Sequence, residues 1–415
     1  MIDSKMKILF LTQIIPYPPD AGPRVKTWHV LRYLIERGHE VTLASFVRPD
    51  EVRHVPVLAE LCHAVHTVPI HRSRLADVGY WLRSQVTRRP FLIERDDLPG
   101  MRQLVRRLLA ETPFDIVHAD QLTMTQFALD ALNVGGKRPY TIFDAHNATW
   151  TISARMVENM PWFLKPVVKL ETARIQKYEA MLVEQLDHTM VVIEPDRKAL
   201  LAGAGNGRAA RLTEKISVIP IAVDTNVLQP VKRRSTSRNI LTLGSLNYPP
   251  NADGIRWFVQ DVFPLIRQEA PDVTLTVIGK NPPADFVRWA EQEPAVFDVT
   301  GYVEDLTPCM EKAALMVVPV RAGSGMRVRL LEAFARSMPT VTTTIGLEGI
   351  EAESGREVLV ADTPEEFARA VLHLLHNPAL QSHLAEHGRL LAQKKYDWRV
   401  VLAKMDAVYQ KARQP

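Results

Sequence analysis

The chain has 415 residues, more than one hydrophobic core accommodates, so two domains of about 200 residues each are the starting expectation. Hydrophobic residues at 46% and charged residues at 24% exclude a disordered or fibrous chain, and a formal net charge of +4 suits anionic small substrates or an anionic membrane surface but gives little support for nucleic acid. Two cysteines, Cys62 and Cys309, exclude a disulfide framework and fit a reducing, cytoplasmic setting.

The N-terminus reads as a strand, Lys7 to Thr12, rather than a targeting segment, because its apolar patch is short and runs into Pro16, Pro18 and Pro19. No apolar run reaches the roughly 18 to 20 residues of a membrane span. A proline-rich loop to Pro23 leads into a helix over Arg24 to Arg37, with Val25, Trp28, Leu31, Leu34 and Ile35 on its apolar side and Gly38 as its stop. A strand over Val41 to Phe46 completes a parallel unit, and further strands are expected at Ala64 to Val68, Ile116 to His118, Thr141 to Phe143, His188 to Ile193 and Ile216 to Pro220. No GxGxxG follows the first strand, which argues against an ordinary dinucleotide dehydrogenase. Between these strands His71 to Arg107 carries nine arginines interleaved with Tyr80, Trp81, Leu82 and Phe91, which reads either as a solvated helix face or as a segment resting on anionic lipid. Cys62, His63 and His66 cluster without a fourth ligand, a weak metal signal.

Asp224 to Arg238 loses periodicity and gains charge and serine, as a linker does. A second α/β series follows: strand Ile240 to Leu243, helix Asp253 to Ile266, strand Val273 to Ile278, helix near Ala284 to Trp289, strand Phe297 to Val299, and a short helix from Leu306 to Ala313. The domain reading is therefore 1–224, joined by a closing helix at 396–415, a linker at 225–238, and a second domain at 239–395.

Within the second series, Val317 to Thr343 carries the strongest chemistry. An apolar strand opens into Ala322-Gly323-Ser324-Gly325 and then a helix with Val328, Leu331, Phe334 and Ala335 on one face, ended by Pro339. Free N–H groups at a helix start beside a glycine loop form an anion site, where Arg327 and Arg329 can grip a diphosphate and Glu332 suits ribose hydroxyls.

The ordered motifs are YPPDAGPRVK, FDAHN (Phe143 to Asn147), IPIAVD (Ile219 to Asp224), GSLNYPPNADGIRWF (Gly244 to Phe258), VIGKNPP, GYVEDL, RAGSGMRVRLLEAFA, IGLEGI and the closing YDWRVVLAKMDAVYQ. In that order they resemble the retaining, family 4-like (group 1) glycosyltransferases, in an exopolysaccharide-type variant, over nearly the whole chain. The resemblance implies the GT-B fold: two doubly wound Rossmann-like domains facing a central cleft, with the C-terminal helix crossing back to the first. It implies a nucleotide-sugar donor, UDP- or GDP-linked, on the C-terminal domain and a sugar, lipid-linked or small-molecule acceptor on the N-terminal one.

By the same resemblance His146 and Glu332 are the catalytic residues, and Gly22, Arg24, Gly244, Ser245, Lys280, Ser324, Gly325, Arg327, Arg329 and Glu332 bind the donor. Ser324 stands where the family places the first of two glutamates eight residues apart, and Gly244 to Asn247 lacks the family's basic residue, a charge that Arg327 and Arg329 are expected to supply. No cofactor and no essential metal are expected. The protein is expected in the cytoplasm, with peripheral contact at the inner membrane face. A nucleotide-sugar epimerase on the same fold, or a silent binding subunit, remain alternatives at this stage.

Overall fold

In a computed structural model, residues 5–19, 22–158, 160–204, 206–234, 236–246, 248–323 and 325–413 are described. The chain divides into two compact units, one of Met1–Pro220 with Leu402–Pro415 and one of Ile221–Val401.

The first unit is a seven-stranded, wholly parallel sheet of β1 (Lys7–Thr12), β2 (Glu40–Val47), β3 (Ala64–Pro69), β4 (Ile116–Asp120), β5 (Tyr140–Ala145), β6 (His188–Val191) and β7 (Ile216–Val218), in the order β3-β2-β1-β4-β5-β6-β7. Parallel strands covered on both faces are apolar throughout rather than alternating, which is why ILFLT of β1 is entirely buried. Its principal helices are α1 (Gly22–Glu36), α2 (Arg74–Thr87), α3 (Thr149–Glu158) and α4 (Lys165–Gln185). Gly38, just past the end of α1, has a φ of 82° and provides the left-handed turn that stops it.

The second unit repeats the plan with β8 (Asn239–Leu243), β9 (Thr274–Ile278), β10 (Phe297–Thr300), β11 (Ala313–Val318), β12 (Thr340–Thr342) and β13 (Leu359–Val360), in the order β10-β9-β8-β11-β12-β13. Phe258, Phe263 and Phe367 pack together at the centre of its core. Helices α5 (Pro249–Trp257) and α6 (Val328–Ala335) frame the ends of β8 and β11. The final helix, α7 (Lys404–Lys411), belongs to the first unit.

Several boundaries differ from the sequence expectation. The helix expected at Asp253 to Ile266 starts earlier, at Pro249, because proline is accommodated in the first helical turn, and it passes through a π-helical turn at Phe258–Val262. The stretch 225–238, expected as a linker, lies in the second unit: Val231 N donates to Arg336 O (3.0 Å), Arg234 N to Glu311 O (3.1 Å), and Arg233 Nη1 to Ala314 O (2.7 Å). The expected closing helix at 396–415 is two short helices, Trp398–Leu402 and α7, and the two units exchange chain between Val401 and Leu402.

Candidate active site

In the second unit, the residues singled out around the glycine loop converge at the ends of β8 and β11. Gly323 and Gly325 have φ of 109° and 86°, conformations that L side chains rarely adopt, so the loop needs glycine at both positions. Ser324, between them, lies outside the described residues. Arg327 is the N-cap residue of α6 and is only 8% exposed, with its guanidinium beside Gly323. Arg329, in the first turn of α6, reaches back to the end of β8, donating to Leu243 O (2.7 Å) and to Asn251 Oδ1. Asn251 is held in turn by donating to Ser245 O (3.0 Å). A Cβ at Gly244 would collide with the Arg329 guanidinium, so glycine at that position is what lets the cation cross the strand end.

The electrostatics of this cluster concentrate positive charge at the start of α6. Burial, followed by repulsion from Arg327, lowers Arg329 to about 10, with partial relief from Glu332. Glu332 lies one turn further along α6, where burial raises its carboxyl above the ordinary range against the pull of Arg336 and Arg329. Two crowded guanidiniums at a helix N-terminus oppose the helix dipole, and a bound phosphate relieves both conflicts. Lys280 is exposed and rests over the Tyr302 ring, 4.2 Å from its centroid. Gly279 packs directly on the Gly244 backbone, which sets Lys280 at the edge of the same cluster. Ser245 is exposed and contributes its carbonyl to Asn251.

In the first unit, His146 follows β5 and its side chain is 10% exposed. Its Nε2 lies 2.8 Å from Asp120 Oδ1, at the end of β4. The other oxygen of Asp120 accepts from Thr12 Oγ1 and Thr27 Oγ1, each at 3.0 Å. Asp120 thus fixes the His146 ring through Nε2 and leaves Nδ1 as the ring's second polar atom. Beside it Asp144, fully buried on β5, accepts from Lys26 Nζ of α1 and lies 3.4 Å from His118 Nε2. Burial alone raises the Asp144 carboxyl, but the Lys26 ammonium, followed by His118 and His146, holds it well below the carboxylate range. His118 Nδ1 meets Tyr409 Oη of α7 at 2.5 Å, so the returning C-terminal segment closes the underside of the cluster.

Asp120, Asp144 and His146 have ligand atoms near enough to one another for a metal ion. Lys26 already places a cation on Asp144, so the set is built around an ammonium. Among the described residues, Cys62, His63 and His66 do not bring their ligand atoms together, and burial pushes the Cys62 thiol up to about 12.

Gly22 and Arg24 lie at the start of α1 in the first unit, on the helix that also carries Lys26 and Thr27. Gly22 opens α1, and Arg24 is paired with Glu51 rather than directed only at a ligand. Sequence reasoning did not single out Lys26, Asp120, Asp144 or Asn251 as site residues. Lys26, Asp144 and Asn251 lie inside the quoted motifs, whereas Asp120 falls beyond the end expected for its strand at His118.

Two family models match the chain: one described as Glycosyltransferase Family 4 over residues 22–227, and one as Glycosyl transferases group 1 over residues 237–377. Among curated proteins, the chain is 24% identical over 172 residues to an "Uncharacterized 44.6 kDa protein in cps region" of Klebsiella pneumoniae, covering 40% of this chain and 44% of that protein. It is 25% identical over 308 residues to the MMP alpha-(1->4)-mannosyltransferase of Mycolicibacterium hassiacum, covering 72% of this chain and 71% of that protein. Among solved structures, it is similar to Anabaena Alr3699/HepE in complex with UDP and glucose (TM-score 0.66, 15% identity, 98% and 99% coverage). It is also similar to the sucrose-phosphate synthase of Thermosynechococcus elongatus (TM-score 0.70, 15% identity, 98% and 99% coverage). With the two parallel sheets and these matches together, the chain belongs to the family 4, group 1 glycosyltransferases of the GT-B fold, and it is a glycosyltransferase.

Proposed function

We propose that this protein is a retaining glycosyltransferase that moves a sugar from a nucleotide diphosphate sugar, UDP- or GDP-linked, to an acceptor hydroxyl in the synthesis of a polysaccharide, glycolipid or other glycoconjugate. The observation that carries the donor side is the pair of crowded, buried guanidiniums of Arg327 and Arg329 beside the Gly323–Gly325 loop at the start of α6. Departure of the nucleotide diphosphate leaves negative charge, and these cations with the helix N-terminus are arranged to stabilise it. Glu332 holds ribose hydroxyls, and Lys280 and Gly244 border the phosphates. The UDP-containing structure with the similar fold supports trying uridine nucleotides first.

On the acceptor side, Asp120 holds His146 through Nε2, which leaves the Nδ1 edge of the ring to polarise an incoming hydroxyl. Lys26 supplies the positive charge beside the carboxylates, so turnover needs no added divalent ion. The acceptor is a sugar, a lipid-linked sugar or a small alcohol, reached by a protein working peripherally at the inner face of an anionic membrane.

The test is thermal stabilisation and sugar transfer against a panel of UDP- and GDP-sugars, with and without EDTA, in wild type and Arg327→Ala. The expected result is a selective rise in Tm for one nucleotide, unaffected by EDTA. In Arg327→Ala we expect affinity weakened by about 10- to 100-fold, the worth of one charged hydrogen bond of about 1.5–3 kcal/mol. Unchanged donor affinity and turnover in Arg327→Ala would remove the donor-site assignment.

A further inference from the structure

The arginine-rich stretch His71–Arg107 pairs much of its charge with acids once folded. Arg72 pairs with Asp96 (2.6 Å), Arg83 with Glu94 (2.7 Å), Arg89 with Asp97 (2.9 Å), Arg102 with both Asp97 (2.7 Å) and Asp130 (3.0 Å), and Arg106 with Asp130 (3.1 Å). The acids that match this charge are buried or nearly so, which makes the cluster a structural device of the fold. The pairing offsets this charge, while Arg72, Arg74, Arg83, Arg88, Arg106 and Arg107 stay exposed to solvent.

Beside them lies an apolar surface. On α2, Leu75, Val78, Leu82 and Val86 recur at spacings of three, four and four, so they share one face, and all are exposed; Leu75 reaches 86% and Val86 84%. Trp81 is exposed on the same helix. On α4 and the turn before it, Phe163, Val167 and Leu170 form a second exposed stripe at spacings of four and three, beside Trp162 at 83% and Leu164. The next position of that stripe, Arg174, donates to Ser84 Oγ (3.2 Å) and Gln85 Oε1 (3.1 Å) of α2. The two stripes thus lie on helices joined side chain to side chain.

Exposed apolar faces of this extent mark an interaction surface. The identity of the occupant follows from the rim. Arg74 and Arg88 at the two ends of α2, and Lys169 on α4, are exposed cations around an apolar, tryptophan-bearing face. This is the composition of a segment lying in the headgroup boundary of an anionic bilayer, and a second copy of the chain would bring like charges together. We infer that the outer face of α2 and the Trp162–Leu170 end of α4 form one bilayer-docking surface, held mainly by apolar insertion, with Arg74, Arg88 and Lys169 at the anionic headgroups and the acid-paired arginines of 71–107 contributing little. This deepens the peripheral reading given above and rests on it for the presence of a membrane.

Cosedimentation with phosphatidylcholine vesicles, with and without phosphatidylglycerol, at low and high salt, tests it with the full chain. The expected result is wild-type binding to the phosphatidylglycerol vesicles that largely survives high salt, lowered at least about tenfold in Leu75→Asp/Val86→Asp and in Trp162→Ser/Phe163→Ser. Nucleotide-dependent stabilisation and Tm stay unchanged in both variants. Variants that bind like wild type, or wild-type binding that high salt abolishes, overturn the apolar surface while leaving a peripheral protein. Absence of binding to any vesicle overturns the peripheral reading as well, and unchanged nucleotide stabilisation separates both failures from failure of the transferase reading. A wild-type dimer without vesicles that either variant dissociates assigns the face to protein contact and overturns the proposal.

Discussion

The two units share one topology and use it for opposite chemistry. Each places its first strand beside its fourth, β1 beside β4 and β8 beside β11, and in each the chemistry gathers where those strands end. In the first unit the strand ends contribute Thr12 and Asp120, and the cluster is completed by Asp144, His146 and Lys26. In the second, the end of β8 contributes the Leu243 carbonyl, Gly244 and the Ser245 carbonyl, and the cations come from the start of α6. The sheet decides where a site forms, and the side chains at its rim decide which charge it takes. In the function proposed above, the first rim handles protons and hydroxyls and the second holds an anion.

The largest effect expected from breaking this division lies in the first unit. His146→Ala and Asp120→Asn should each lower kcat by roughly 10²–10⁴-fold, the range for loss of a positioned acid or base. Thermal stabilisation by the nucleotide diphosphate should be unchanged in both, because the donor cations lie in the other unit. If His146→Ala loses nucleotide affinity as Arg327→Ala does, the division of labour is wrong.

The next effect is on folding. Lys26 is 3% exposed and Asp144 fully buried, so Lys26→Met leaves a carboxylate without its partner. Breaking one half of a buried pair costs about 3–5 kcal/mol, and urea denaturation should show a loss of that order. The double variant Lys26→Met/Asp144→Asn should recover much of it. Should a divalent cation at Asp120, Asp144 and His146 be the true occupant, the single variant would instead gain stability from added metal.

The fold was legible because buried parallel strands are short apolar runs, and ILFLT and VTLASF read as such without ambiguity. β13 was not legible, since Leu359–Val360 is too short to carry a pattern. On the donor side, Arg327, Arg329, Gly325 and Glu332 are close in sequence as well as in space, so one segment announced them. The first-unit cluster joins residues 12, 26, 120, 144 and 146, and no local spacing links Lys26 to Asp144 across 118 positions. The arginines of 71–107 show the complementary difficulty: a sequence counts charges but does not reveal that Glu94, Asp96, Asp97 and Asp130 meet them.

The smallest expected effect sharpens the comparison through pH. Glu179, buried on α4, accepts from Thr149 N (2.7 Å) and Trp150 N (3.2 Å) at the start of α3, three and four residues after His146. Burial pushes its carboxyl up to about 7, with those backbone donors opposing the shift and Asp196 adding to it. The folded state therefore holds this proton more tightly than the unfolded chain, whose carboxyl titrates near its ordinary 4.5. The contribution is complete below that value and is lost as pH rises through about 7, which makes it of order 1–3 kcal/mol. Glu179→Gln removes the titration, so its stability relative to wild type should improve between pH 5 and pH 8. Because Glu179 supports the turn that follows His146, the same variant should flatten the pH dependence of kcat over this range. Nucleotide affinity, set by Arg327 and Arg329 in the other unit, should keep its wild-type pH profile. A matching change in nucleotide affinity would mean that the two rims are coupled rather than independent.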